Sequence, residues 1–150
     1  MSARDTLRQL NLLFLALAGG QVLFALLVLY MLRSGLYRAE PADLPFDLLA
    51  PFILIGTAAL AYWLNKRLSE NGKVQPGLDN KALQYRNAAI IRLAVLEGGN
   101  LFLILAALLE GRAHFLLFFA LGLLAFFYFR PSRDNFVASF ELSSAEQQEL

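Results

Sequence analysis

Apolar residues in this chain gather in four long blocks rather than in alternating or narrow amphipathic stripes. The blocks cover residues 10–32, 46–64, 85–109 and 114–129, and polar, turn-forming segments separate them. A helix rises ~1.5 Å per residue and a bilayer's hydrocarbon core is ~30 Å thick, so ~20 apolar residues cross it. The first three blocks reach that length. The fourth, at ~16 residues, has to stand nearly upright or meet a thinned bilayer. The pattern predicts an all-α polytopic membrane protein of one domain. Its four transmembrane helices run over about 7–32, 46–64, 84–109 and 114–129, arranged as two hairpins, and a short cytoplasmic tail follows over 131–150.

Local residues predict where these helices start and stop. Ser2 and Asp5 have the spacing of a capping box, and Arg33-Ser34-Gly35 ends the first helix. Asp43 is the expected N-cap of the second, with Pro45 in its first turn. Pro51 removes the bond to the carbonyl of Asp47 and predicts a mild kink. Residues 65–81 read as the longest loop, with Asn71-Gly72 and Pro76-Gly77 as turns and Asp79 or Asn80 capping the third helix. Glu110-Gly111-Arg112 is a tight turn. In the tail, Phe136 and Phe140 lie one turn apart and Ser143 and Glu146 form a second capping-box spacing. These predict a short helix resting on the membrane surface, with a frayed terminus as the alternative.

Charge then orients the spans. Arg4, Arg8, Lys66, Arg67, Lys73, Lys81, Arg86, Arg130 and Arg133 fall on one side, and Arg33, Arg38 and Arg112 on the other. The positive-inside rule places both termini in the cytoplasm. Tyr62 and Trp63 sit where amphipathic rings favour the interface. The first block exceeds the ~7–15 residues of a secretory h-region and lacks an A-x-A site, so it reads as a retained span.

Composition narrows the chemistry. Hydrophobic residues make up 58% of the chain and charged ones 17%, which fits lipid-facing surface. A net charge of +1 with no basic face or tail argues against a nucleic-acid partner. With no Cys and a single His, His114, there is neither a thiolate nucleophile nor a multi-histidine metal site. No P-loop, dinucleotide-binding or nucleophile motif is present, so neither an enzyme nor a cofactor is expected.

One group stands out against this background. Glu97 lies near the middle of the third block, within the run Glu97-Gly98-Gly99-Asn100. An ionised carboxylate there costs at least ~2.5–3.5 kcal/mol, so it should face protein, with Asn100 on the same helix face and Gln21 of the first helix at similar depth. Gly19, Gly20, Gly98 and Gly99 are expected to let these two helices approach closely. Two readings follow: the Glu97, Asn100 and Gln21 cluster holds helices together, or Glu97 takes up and releases a proton or small cation. Arg92 is expected on another face, snorkelling to the headgroups with Arg86.

The chain also reads as weakly duplicated. Ala18-Gly-Gly-Gln21 aligns with Glu97-Gly-Gly-Asn100, and Gly56 and Tyr62 match Gly122 and Tyr128 at equal spacing. Two parallel repeats would follow.

Gln75-Pro76 followed by Leu96-Glu97 resembles the proteolipid (c) subunit of rotary ATPases, over the second and third helices only. That resemblance implies that Glu97 is a proton site. The GQVLF of the first helix, the LEG-x-x-LF of the third and the Arg-Pro-Ser-Arg after the fourth resemble a group of uncharacterised four-span bacterial membrane proteins. This second resemblance implies an inner-membrane location and a four-helix fold, and no activity. The partners expected are the bilayer and either further copies of the chain or a larger membrane complex.

Overall fold

The computed structural model describes residues 2–35, 37–38, 40 and 45–148. All regular structure among them is helical: α1 (Ala3–Ser34), α2 (Phe46–Lys73), α3 (Leu78–Glu110), α4 (Phe115–Tyr128), α5 (Arg133–Phe140) and α6 (Ser144–Gln148). Helices α1, α2 and α3 are each long and apolar enough to cross a membrane. Helices α4 and α5 qualify together, bent by 66° at the break between them.

Several ends follow the local chemistry of the sequence. The Ser2 side chain accepts a hydrogen bond from the Asp5 amide at 3.2 Å and caps α1. Gly35 (φ 71°) and Gly111 (φ 64°) end α1 and α3 in the left-handed region, where only glycine is unstrained. Asp43, the expected cap of α2, lies outside the described residues. The Pro45 carbonyl accepts from the Leu48 and Leu49 amides, and α2 continues through Pro51.

The expected loop over 65–81 is mostly helix. Helix α2 runs on to Lys73, taking in Asn71-Gly72, and the chain turns only between α2 and α3. The reason is tertiary: Ser69 and Gly72 are buried, and the ring of Phe140 occupies the space a Cβ on Gly72 would fill. This packing offsets the turn preference of Asn-Gly. Neither Asp79 nor Asn80 caps α3; Gly77 (φ 81°) precedes it, and Asn80 instead donates its side-chain amide to the Pro76 carbonyl at 2.9 Å.

Helix α3 is the axis of the bundle. Helices α1, α2 and α4 all pack on it, whereas α1 and α2 barely touch. Of the two expected hairpins, α3–α4 is therefore a packed pair and α1–α2 is not. Three apolar layers stack along the axis. One holds Val28, Phe46, Ile104 and Phe115 near the α3–α4 turn. The middle one holds Phe14, Ala61, Leu96 and Phe126. The third holds Leu10, Tyr85, Phe136 and Phe140.

That third layer absorbs the tail. Phe136 and Phe140 are fully buried, with ring centroids 4.9 and 5.8 Å from that of Tyr85. The Tyr85 hydroxyl accepts from the Ser132 amide at 3.2 Å and donates to its carbonyl. The two phenylalanines expected on the membrane surface thus complete the bundle. Beyond them, Ser143 and Glu146 form the expected capping box, with Ser143 N–H donating to Glu146 Oε2 at 2.8 Å.

Apolar side chains also cover the outside. Leu23, Phe52, Ile55, Leu117 and Leu124 are each at least 65% exposed. Water does not tolerate so continuous an apolar surface, and lipid does.

Candidate functional site

Between the first two apolar layers lies a polar one. Gln21 and Asn100 are both buried, and the Asn100 amide donates to Gln21 Oε1 at 2.8 Å, tying α1 to α3. A Cβ placed on Gly122 of α4 would lie 2.0 Å from Asn100 Oδ1, so only glycine admits this amide. On the other side of α3, a Cβ on Gly99 would lie 2.7 Å from both Cγ2 and Oγ1 of Thr57. Thr57 spends its hydroxyl on the Ile53 carbonyl at 2.8 Å and so presents little unsatisfied polarity to α3. One turn of α3 thus joins all three neighbouring helices.

Glu97 is not part of this layer. It is half-buried at the margin between the inward and outward faces of α3, and it has no hydrogen bond or ion pair among the described residues. The expected three-membered cluster is a pair, Gln21 and Asn100. Glu97 lies one turn before Asn100, but it is Asn100 that is seated between Gln21 of α1 and Gly122 of α4, and the Glu97 side chain bonds to neither.

The glycine expectation changes in the same way. Gly19, Gly20 and Gly98 are exposed and a Cβ on any of them would meet nothing within 4 Å. Gly99 does permit a close approach, but to α2 rather than α1. Gly122, noted in the sequence only as a repeat position, is the glycine the polar layer requires.

Arg92 departs furthest from expectation. Instead of reaching for headgroups it is 3% exposed inside the bundle. Its Nη1 donates to Asn65 Oδ1 and its Nη2 to the Phe129 carbonyl at 3.1 Å. The guanidinium carbon stands 5.7 Å from the centre of the Phe129 ring. Residues 92, 96 and 100 follow at helical spacing, so whatever turns Asn100 inward turns Arg92 inward too. That spacing was the available clue. The Phe129 carbonyl, freed where α4 ends, and Asn65, at a position read as loop, are the partners that the sequence hid. Arg92 also lines a cavity of about 180 Å³ with Tyr62, Asn65, Tyr128, Asn135 and Ser139. Arg86, the other headgroup candidate, is half-buried nearer the start of α3.

At the opposite end Asp47 joins two elements. It accepts from Arg112 Nη1 at 2.6 Å and lies 2.9 Å from His114 Nε2, fixing the α3–α4 turn against the start of α2. His114 therefore has a structural partner there.

Compared with protein-family models, with curated proteins and with solved structures, the chain matches none.

Proposed function

We propose that this chain is a non-enzymatic integral membrane protein that assembles with itself or as a small subunit of a larger membrane complex. In this reading four spans cross the cytoplasmic membrane of a bacterium, α4 being the short one, and both termini face the cytoplasm. The Gln21–Asn100 pair holds α1 to α3. The observation that carries the reading is the uncovered surface: only 11% of the most apolar stretch of α2 and 28% of that of α1 are buried, against 50% for α3. Lipid covers such surface by default, and a second protein gains contact there at little cost in desolvation.

The test is twofold. Alkaline carbonate should leave the chain in the membrane pellet, and its release would end the membrane reading. In mild detergent, the protein mass measured by light scattering should exceed the 16.7 kDa of one chain. A strictly monomeric species without co-purifying protein would end the assembly reading.

A second reading, a proton- or cation-linked element working through Glu97, draws on one observation. Glu97 takes no part in the polar layer and has no partner among the described residues, so gluing helices does not account for it. Glu97→Gln keeps the shape and removes the titration. Under this reading carbodiimide labelling at Glu97 is pH-dependent, and the variant loses proton-coupled function while assembling like the parent. Full function in the variant would dismiss it.

A further inference from the structure

The cavity beside Arg92 has the chemistry of an anion site. Arg92 is a buried cation, and among the described residues no carboxylate lies within ion-pairing distance of it. Two of its donors are used by neutral oxygens, the Tyr85 hydroxyl also lies beside the guanidinium, and its Nε has no hydrogen-bond partner. A buried charge without a counter-charge, and with a donor unspent, is costly unless something fills the gap. The void next to it, about 180 Å³, far exceeds the ~10–15 Å³ that one water requires.

The lining supports an oxyanion rather than water alone. The Tyr62, Tyr128 and Ser139 hydroxyls and the Asn65 amide nitrogen line the space beside the guanidinium, whose planar fork matches tetrahedral oxyanions, while the Asn135 amide is held by the Arg130 carbonyl. An adjoining cavity of about 350 Å³ shares Tyr62, Asn65 and Ser139 and adds Lys66 and Lys73 against one acid, Glu70. Lys73 is already paired with Glu141. The charges flanking the path from outside are thus balanced, and Arg92 is the cation left without a counter-charge. Tyr62 and Tyr128 are 61% and 76% exposed, and Trp63 carries Arg67 over its ring at 5.1 Å. Aromatic and basic residues grouped at one end of apolar helices mark the depth at which phospholipid headgroups lie.

We propose that this cavity binds a phosphate group, with Arg92 as its central charge and Ser139, shared with the adjoining cavity, on the way in. The phosphate is that of a lipid headgroup or a free phosphate ion. The lipid source rests on the membrane reading above, which carbonate extraction tests separately; the free ion does not.

Delipidated protein in a maltoside detergent, which carries no phosphate, is titrated with inorganic phosphate and separately with dioctanoyl phosphatidylglycerol. Dioctanoylglycerol, which lacks the phosphate, is the control, and the melting temperature is the readout. A saturable rise with phosphatidylglycerol and not with the control or the free ion assigns the site to a headgroup. A rise with inorganic phosphate assigns it to the free ion. Arg92→Gln should weaken the response roughly tenfold. Because that variant also loses helix contacts, Ser139→Phe is the second: it fills the cavity from Ser139 without removing the Arg92 bonds to Asn65 and Phe129, and should likewise weaken the response at least tenfold. No rise with either phosphate source beyond the control overturns the proposal, as does an undiminished response in Ser139→Phe.

Discussion

Asn100 and Gln21 meet across the α1–α3 interface at 2.8 Å, and the other end of the Asn100 amide is seated over Gly122 of α4. These two residues occupy matching places in the aligned segments 18–21 and 97–100. The positions whose similarity suggests a repeat are thus bonded to each other. The parallel stops there, since α3 packs on α4 while α1 and α2 hardly touch, and Gly56, the counterpart of Gly122, borders open space.

Removing this bond should be measurable and modest. Interhelical polar contacts in lipid contribute ~1 kcal/mol, seldom approaching 2, because the separated helices find other partners. A double-mutant cycle of Gln21→Leu and Asn100→Leu, read by denaturant unfolding in detergent, should give a coupling near ~1 kcal/mol. Zero coupling would show that the two amides do not depend on each other.

Glycine substitutions should divide sharply. Gly99→Val and Gly122→Val drive side chains into Thr57 and Asn100, and overpacking of this kind costs ~1–3 kcal/mol. Gly19→Ala, Gly20→Ala and Gly98→Ala meet open space and should be neutral or stabilise by up to ~1 kcal/mol through helix propensity. Melting temperatures of the five variants check this. Equal losses in both groups would contradict the packing described.

The tail should behave as part of the bundle. Phe136→Ala or Phe140→Ala empties a fully buried aromatic site and should cost ~3–5 kcal/mol of docking. Gly72→Ala should undock the tail from the other side, since its methyl would enter the Phe140 ring. Limited proteolysis should cut after α4 in these variants and not in the parent. Equal protection throughout would show that docking does not rely on these rings.

Tail docking should also weaken in acid. Lys81, through its hydrogen bond at 2.9 Å, and then the Ser143 amide and hydroxyl, hold the Glu146 carboxyl down at about 2, below its ordinary 4.5. A depressed folded value means that the ionised form stabilises the docked state. The contribution is complete above pH 4.5 and is lost as pH falls towards about 2. Hydrogen exchange of residues in α6 should quicken across that window, and Glu146→Gln should remove the dependence. A variant with an unchanged acid profile would assign the effect elsewhere.

Much of the fold is written in local chemistry. Four apolar blocks, the cap at Ser2, the glycine stops at Gly35 and Gly111 and the capping box at Ser143 depend on neighbours a few residues away, and the structure has them all where the chain places them. Helix rotation is a different matter. A helix that is apolar nearly all round has no polar stripe to mark its outer face, so the 92, 96 and 100 spacing puts Arg92 near the face of Asn100 without stating that this face points inward. The packing of α1, α2 and α4 around α3 settled that, seating Asn100 over Gly122 and carrying Arg92 in with it while leaving Glu97 at the margin. Contacts between distant segments likewise kept Gly72 helical beneath Phe140 and drew the tail onto Tyr85. Backbone preference acts through adjacent residues, whereas the choice of face depends on side-chain volumes that meet only once the helices are assembled.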